Sequence, residues 1–149
     1  MVTQIDEIMD HIQKDDLIVI EGFGFNSQQA IQLGGIGWGV RMALHRRGFT
    51  YYEVAPNAVK KFVGVTGWTG ETGNKKRLTG PQKKKAVMAA VKEMYGFTHS
   101  SDNIVDAYIM AQIAQEIWME QNVYRILPTN QAEVIATILK PKINKKVKK

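Results

Sequence analysis

The stretch LIVIEGFGFNSQQAIQLGGIGWGVRMALHRRGFTYYEV, residues 17–54, decides the fold class. Leu17 to Ile20 is a continuous, mostly β-branched apolar run between Asp15 and Asp16 on one side and Gly22 on the other. That is the pattern of a strand buried on both faces, and Glu21 stands at its C-terminal end. Residues 28–47 read as a long helix carrying Ile31, Ile36, Val40, Ala43 and Leu44, closed by Arg46, Arg47 and Gly48. Thr50 to Val54 is a second strand. Strand, helix and strand make a βαβ unit whose strands run parallel and adjacent. The class is α/β.

Toward the N-terminus, Ile5, Ile8, Met9 and Ile12 predict a short amphipathic helix ending near Lys14. Toward the C-terminus, Pro56 and Asn57 open a short helix through Lys61 and Phe62. A Gly-rich basic loop follows over residues 64–80, longer than an ordinary connection. Pro81, at a first helical position, opens a helix with Ala86, Val87, Ala90, Val91 and Met94, and Gly96 ends it. Ser100, Ser101 and Asp102 offer N-caps to a helix in which Val105, Ile109, Ile113 and Ile117 repeat every four residues. A last helix runs from about Gln131 to Leu139, before Pro141 and a lysine tail. Two strands against about six helices are too small a sheet for a stable α/β layer, so either further strands lie in segments read here as helix or loop, or the chain lacks strands that the complete fold would have.

A chain of 149 residues supports one domain that buries roughly two thirds of its unfolded surface. With no cysteine it has no disulfide framework, thiolate metal site or cysteine nucleophile, which suits a reducing cytoplasm. No signal peptide or membrane-length apolar run is evident, and the expectation is a soluble protein without a membrane partner. The net charge of +6 is unevenly spread. Residues 57–92 carry nine basic side chains and one acid, residues 93–139 one and six, and residues 140–149 six lysines and no acid. A basic middle and tail beside acidic flanks point to a polyanion such as nucleic acid, although the tail reads equally well as a solvated terminus.

Glu21 sits where open α/β sheets place their ligands. Asp102 and Asp106 are four residues apart, hence one turn apart on one helical face, a repulsive arrangement unless a cation is near or Asp102 serves as a cap. Three carboxylates at the ends of separate elements beside a basic segment suggest metal-assisted phosphodiester hydrolysis, with Mg²⁺ or Mn²⁺. The basic segment supplies candidate DNA contacts at Lys60, Lys61, Lys75, Lys76, Arg77, Lys83, Lys84 and Lys85. Trp38, Trp68 and Trp118 read as packing residues, with Trp68 also able to stack on an unpaired base. His11 and His45 read as surface residues, and His99 is left open. GWTGETGNKK lacks the ending of a phosphate loop, and GGIGWG, inside a helix, is not a dinucleotide fingerprint. Gly35, Gly39 and Ala43 give that helix a smooth seam for close approach of another helix.

The chain resembles RuvC-type Holliday junction resolvases of the RNase H-like superfamily, especially phage-encoded ones, over about residues 15–115. The resemblance lies in LIVIEGF, SQQAIQLGGIGWGVRMAL, YYEVAPNAVKKFV, GPQKKKAV and SDNIVDAYIMA. It implies a three-layer RNase H-like nuclease domain over residues 1–139, with residues 140–149 as a basic tail. Glu21, Asp106 and Asp102 would be metal ligands, with Asn103 the alternative to Asp102. Lys84 would be the functional lysine, with Lys83 and Lys85 as competitors. The family's first strand, which bears a metal-binding Asp, and the two strands after it have no counterpart before Met1. The implied sheet is therefore N-terminally incomplete, and a complementary N-terminal segment becomes a candidate partner. The family also implies a homodimer, with the Gly35, Gly39 and Ala43 seam as candidate interface, acting on four-way or branched DNA in a bacterial or phage-infected cytoplasm. The rival expectations are a branched-DNA-binding remnant without cleavage, and a structural fragment needing a second chain.

Overall fold

The computed structural model describes residues 2–22, 30–123 and 125–140. Its elements are α1 (Val2–Asp10), β1 (Ile18–Glu21), α2 (Ala30–Arg46), β2 (Tyr51–Val54), α3 (Pro56–Phe62), β3 (Trp68–Thr69), β4 (Lys76–Arg77), α4 (Gly80–Tyr95), α5 (Asp102–Asn122) and α6 (Thr129–Leu139). The protein is a mostly helical α/β chain with a small sheet. Gln28 and Gln29, assigned above to the long helix, and the tail from Pro141 lie outside the described residues. No described helix is long and apolar enough to cross a membrane.

β1 and β2 pair in parallel, Ile18 opposite Tyr51 and Glu21 opposite Val54, as a βαβ unit requires. The Gly22 amide donates to the Val54 carbonyl at 2.8 Å, which extends the pairing past Glu21 and fixes the strand end. Among the described residues β1 pairs with β2 alone. It also lines a shallow groove of about 350 Å³, shared with Ala107, Met110, Ala111 and Ala114 of α5.

With so small a sheet, the core is organised on α5. Val105, Ile109, Ile113 and Ile117 lie one turn apart and are sealed from solvent. Around them pack Val87 and Val91 of α4, Val59 and Phe62 of α3, and Val134 and Ile135 of α6. Each such side chain contributes roughly 1.5–3 kcal/mol by burial. Glu116, buried on α5, is neutralised by Arg125 at 2.7 Å. α4 starts at Gly80, so Pro81 is its second residue; Thr79 and Gln82 form a reciprocal capping box, and Gly96 closes the helix at a φ of 68°. α6 starts two residues before the expected Gln131, directly after Pro128.

Two expectations are corrected and a third is met from within the chain. The segment 64–80 is not a structureless loop: β3 and β4 pair antiparallel within it, Trp68 opposite Arg77 and Thr69 opposite Lys76. Its turn depends on Gly70, whose φ is 101° and where a Cβ would stand 2.6 Å from the Asn74 carbonyl oxygen. The seam on α2 is occupied from within the chain at Gly39, where a Cβ would meet Ile5 Cδ1 of α1 at 2.3 Å. The seam thus admits another helix as expected, α1 of the same chain at Gly39, while Gly35 is exposed. Trp38 and Trp118 are not buried in the core, being 59% and 52% exposed.

Candidate functional site

Glu21, exposed at the end of β1, and Asp106, one turn into α5, are near enough for the charge of Asp106 to act on Glu21. Both are held above the ordinary carboxylate range. For Glu21, although its side chain reaches solvent, the main cause is desolvation by the protein packed around the strand end, then the charge of Asp106, with Lys60 opposing. For Asp106 burial again leads; Lys60 opposes it, Asp102 adds to it, and Lys84 opposes it weakly. Burial and a like charge both penalise the ionised form, so this pair favours an incoming cation.

Asp102 behaves differently. Lys84 Nζ on α4 lies 2.5 Å from its Oδ2, tying α4 to the start of α5. That hydrogen bond holds the Asp102 carboxyl below its usual range and the Lys84 ammonium above its own. Both groups face solvent, so the pair adds little stability. Lys60, Lys84, Asp102 and Asp106 line a small cavity of about 70 Å³, walled by Val87 and Val105. Asn103, the alternative to Asp102, is exposed and does not line it.

Among the described residues no group of three or more His, Cys, Asp or Glu side chains is placed to hold a metal ion. What remains is the pair Glu21 and Asp106. Two carboxylates suit Mg²⁺, which keeps several waters and takes one or two carboxylates together with phosphate oxygens. Asp102 is set apart from them by its pairing with Lys84.

Arg41 is the residue that the sequence reading missed. It is 4% exposed, on α2. Its guanidinium donates to Glu53 Oε1 at 2.8 Å, to the Gly37 carbonyl at 3.0 Å and to the backbone carbonyl of Glu21 at 3.1 Å. One side chain thus clamps both strands at the end where Glu21 emerges. The available signal was an arginine inside an otherwise apolar helical stretch, GIGWGVRMAL.

The basic residues separate into distinct surfaces. Asn57, Lys60, Lys61, Trp68, Arg77 and Lys83 line an open cleft of about 530 Å³ beside the acids. Lys61 is engaged there by Glu133 of α6. Lys60 lines both cleft and acid cavity. Lys83, Lys84 and Lys85 diverge: Lys83 faces the cleft, Lys84 meets Asp102, and Lys85 lines another groove beside Lys92 and His99. Lys75 and Lys76 are exposed on the hairpin outside the cleft lining. His11 and His45 are exposed, and His99 Nδ1 accepts the Ser101 amide at 2.9 Å, a local turn contact.

Comparisons with protein-family models, with curated proteins and with solved structures return no match.

Proposed function

We propose that this chain is an RNase H-like nuclease domain of RuvC type: an endonuclease selective for four-way or branched DNA, dependent on Mg²⁺ or Mn²⁺, acting as a homodimer in the cytoplasm. The observation that carries this reading is that Lys60 belongs at once to the basic cleft and to the field of Glu21 and Asp106. A backbone phosphate held by Lys60 is thereby brought against the carboxylate pair. Glu21 and Asp106 would hold the ion, with Asp102 joining once freed. When bound, the ion would neutralise charge at the scissile phosphate and make a bound water more acidic. Arg41 positions Glu21 through its backbone carbonyl, and Lys84, on leaving Asp102, becomes available to a phosphate oxygen. An added strand, from this chain or another, would pair with the open edge of β1.

The Lys84–Asp102 pair, together with the two-carboxylate set, favours a second reading in which the same surface binds branched DNA without cutting it. One experiment separates the two. A four-way junction and a linear duplex of matched sequence are incubated with residues 1–149, with Mg²⁺, Mn²⁺ or a chelator. Metal-dependent nicking of the junction, lost in Glu21→Gln and Asp106→Asn, supports the nuclease. Junction-selective binding without nicking assigns the second reading. Failure to prefer the junction overturns both.

A further inference from the structure

We infer that the basic cleft is a seat for one unpaired nucleotide, with Trp68 stacking on the base and Lys60, Arg77 and Lys83 holding its flanking phosphates. This rests on the nucleic-acid reading above and specifies its ligand. Trp68 is 55% exposed although it is a large aromatic at the edge of a charged cleft. Local bonds hold its backbone: the Trp68 amide donates to Thr66 Oγ1 at 3.4 Å, and the same hydroxyl donates back to the Trp68 carbonyl at 3.0 Å. The Leu78 amide donates to the Gly67 carbonyl at 2.9 Å, closing the hairpin base. The indole is therefore set at the edge of the cleft by local backbone hydrogen bonds, without burial to account for it.

The cations match one strand of nucleic acid. Among the described residues no carboxylate forms an ion pair with Lys60, Arg77 or Lys83, whereas Lys61 is already paired with Glu133. Arg77 stands opposite Trp68 in the hairpin register, so a charge for the phosphate and a face for the base arise from adjoining strands. A base in a duplex has both faces covered by its neighbours, and only an unpaired one can offer a face to the indole. Single-strand binding surfaces combine a cationic track with such an aromatic platform. Lys60 then links the seated nucleotide to the carboxylates, so an unpaired base would register the strand beside the acid site.

The test uses the full chain in chelator, where metal binding plays no part. Affinity is measured for a short oligothymidylate and for an abasic strand of equal length, which share phosphate charge and differ only in bases. Wild type should prefer the oligothymidylate by about tenfold, the value of one good stacking contact. Trp68→Ala should abolish that preference and Trp68→Phe should keep most of it, while Arg77→Gln should weaken both strands alike. Equal affinity of wild type for the two strands, or an undiminished preference in Trp68→Ala, would overturn the seat. Either result leaves metal-dependent junction nicking to be judged separately; loss of nicking with the base preference intact would condemn the nuclease and keep the seat.

Discussion

The start of α5 and the hairpin of β3 and β4 meet at Lys60, yet they are built by opposite means. α5 is anchored by four sealed aliphatic side chains, and its acids are carried on a helix that the whole core holds in place. The hairpin has two-residue strands, exposed side chains and a turn that rests on glycines at 70 and 73, both at positive φ. The difference is one of dependence: geometry at the acids follows global stability, and geometry at the cations follows local backbone bonds.

The hardest way to strain this contrast is through the core. Ile113→Ala, in the middle of the buried stripe, should cost about 2–5 kcal/mol in chemical unfolding. Trp68→Ala should stay within about 0.5 kcal/mol of wild type in the same assay. Comparable losses for the two would mean that the hairpin belongs to the core. Next is Arg41→Met, which removes the clamp on Glu53 and on the Glu21 carbonyl. It should cost about 1.5–3 kcal/mol, the range for hydrogen bonds from a charged group, and should weaken metal-induced stabilisation beyond that loss. A metal shift equal to wild type in melting experiments would show that Glu21 needs no such positioning.

Smaller effects distinguish the three consecutive lysines. Lys83→Gln should lower the log–log salt slope of branched-DNA binding by about one unit. Lys84→Gln and Lys85→Gln, whose side chains point elsewhere, should lower it less. Equal reductions from all three would restore a single basic face. The smallest effect expected is at Asp106. Its folded carboxyl is held above the range it has when unfolded, so the folded state keeps its proton more firmly. Its contribution is most favourable below the unfolded value and declines as pH rises through the folded one. Asp106→Asn should therefore raise the metal-free melting temperature at neutral pH by about 1–2 °C and flatten its acid-side slope. Asp102, held low by Lys84, works in the reverse sense: its stabilisation is present above the unfolded value and fades as pH falls through the folded one. A neutral-pH melting temperature at or below wild type in Asp106→Asn would contradict the repulsive pair.

The legible parts of the molecule were those in which a period repeats. The four-residue spacing from Val105 to Ile117 and the cap at Gly96 each have one physical solution, and the structure adopts it; the β-branched run before Glu21 forms its parallel strand, but Ile18, Val19 and Ile20 are half-buried and not covered on both faces as expected. The hairpin was illegible because Trp68, Thr69, Lys76 and Arg77 show neither alternation nor an apolar face. The divergence of Lys83, Lys84 and Lys85 follows from the rotation of about 100° per residue around a helix, which a charge count ignores. The pairing of Lys61 with Glu133 joins residues far apart in the chain and has no local signature. Trp38 and Trp118 were misplaced because a large aromatic favours burial on average, and each helix instead turns that position outward.

The seat of α1 on Gly39 has a consequence in time. Met9 and Leu44 are fully buried, yet they stand apart from the cluster gathered on α5. A satellite of that size can open by itself while the main cluster stays closed. Amide protons of α1 should then exchange with solvent through this partial opening, and those in the middle of α5 only when the whole molecule unfolds. Because α2 also carries Arg41, an opening of α1 would uncover the helix that holds the clamp on Glu21, and exchange at the Glu21 strand end should then report on a helix placed behind α2.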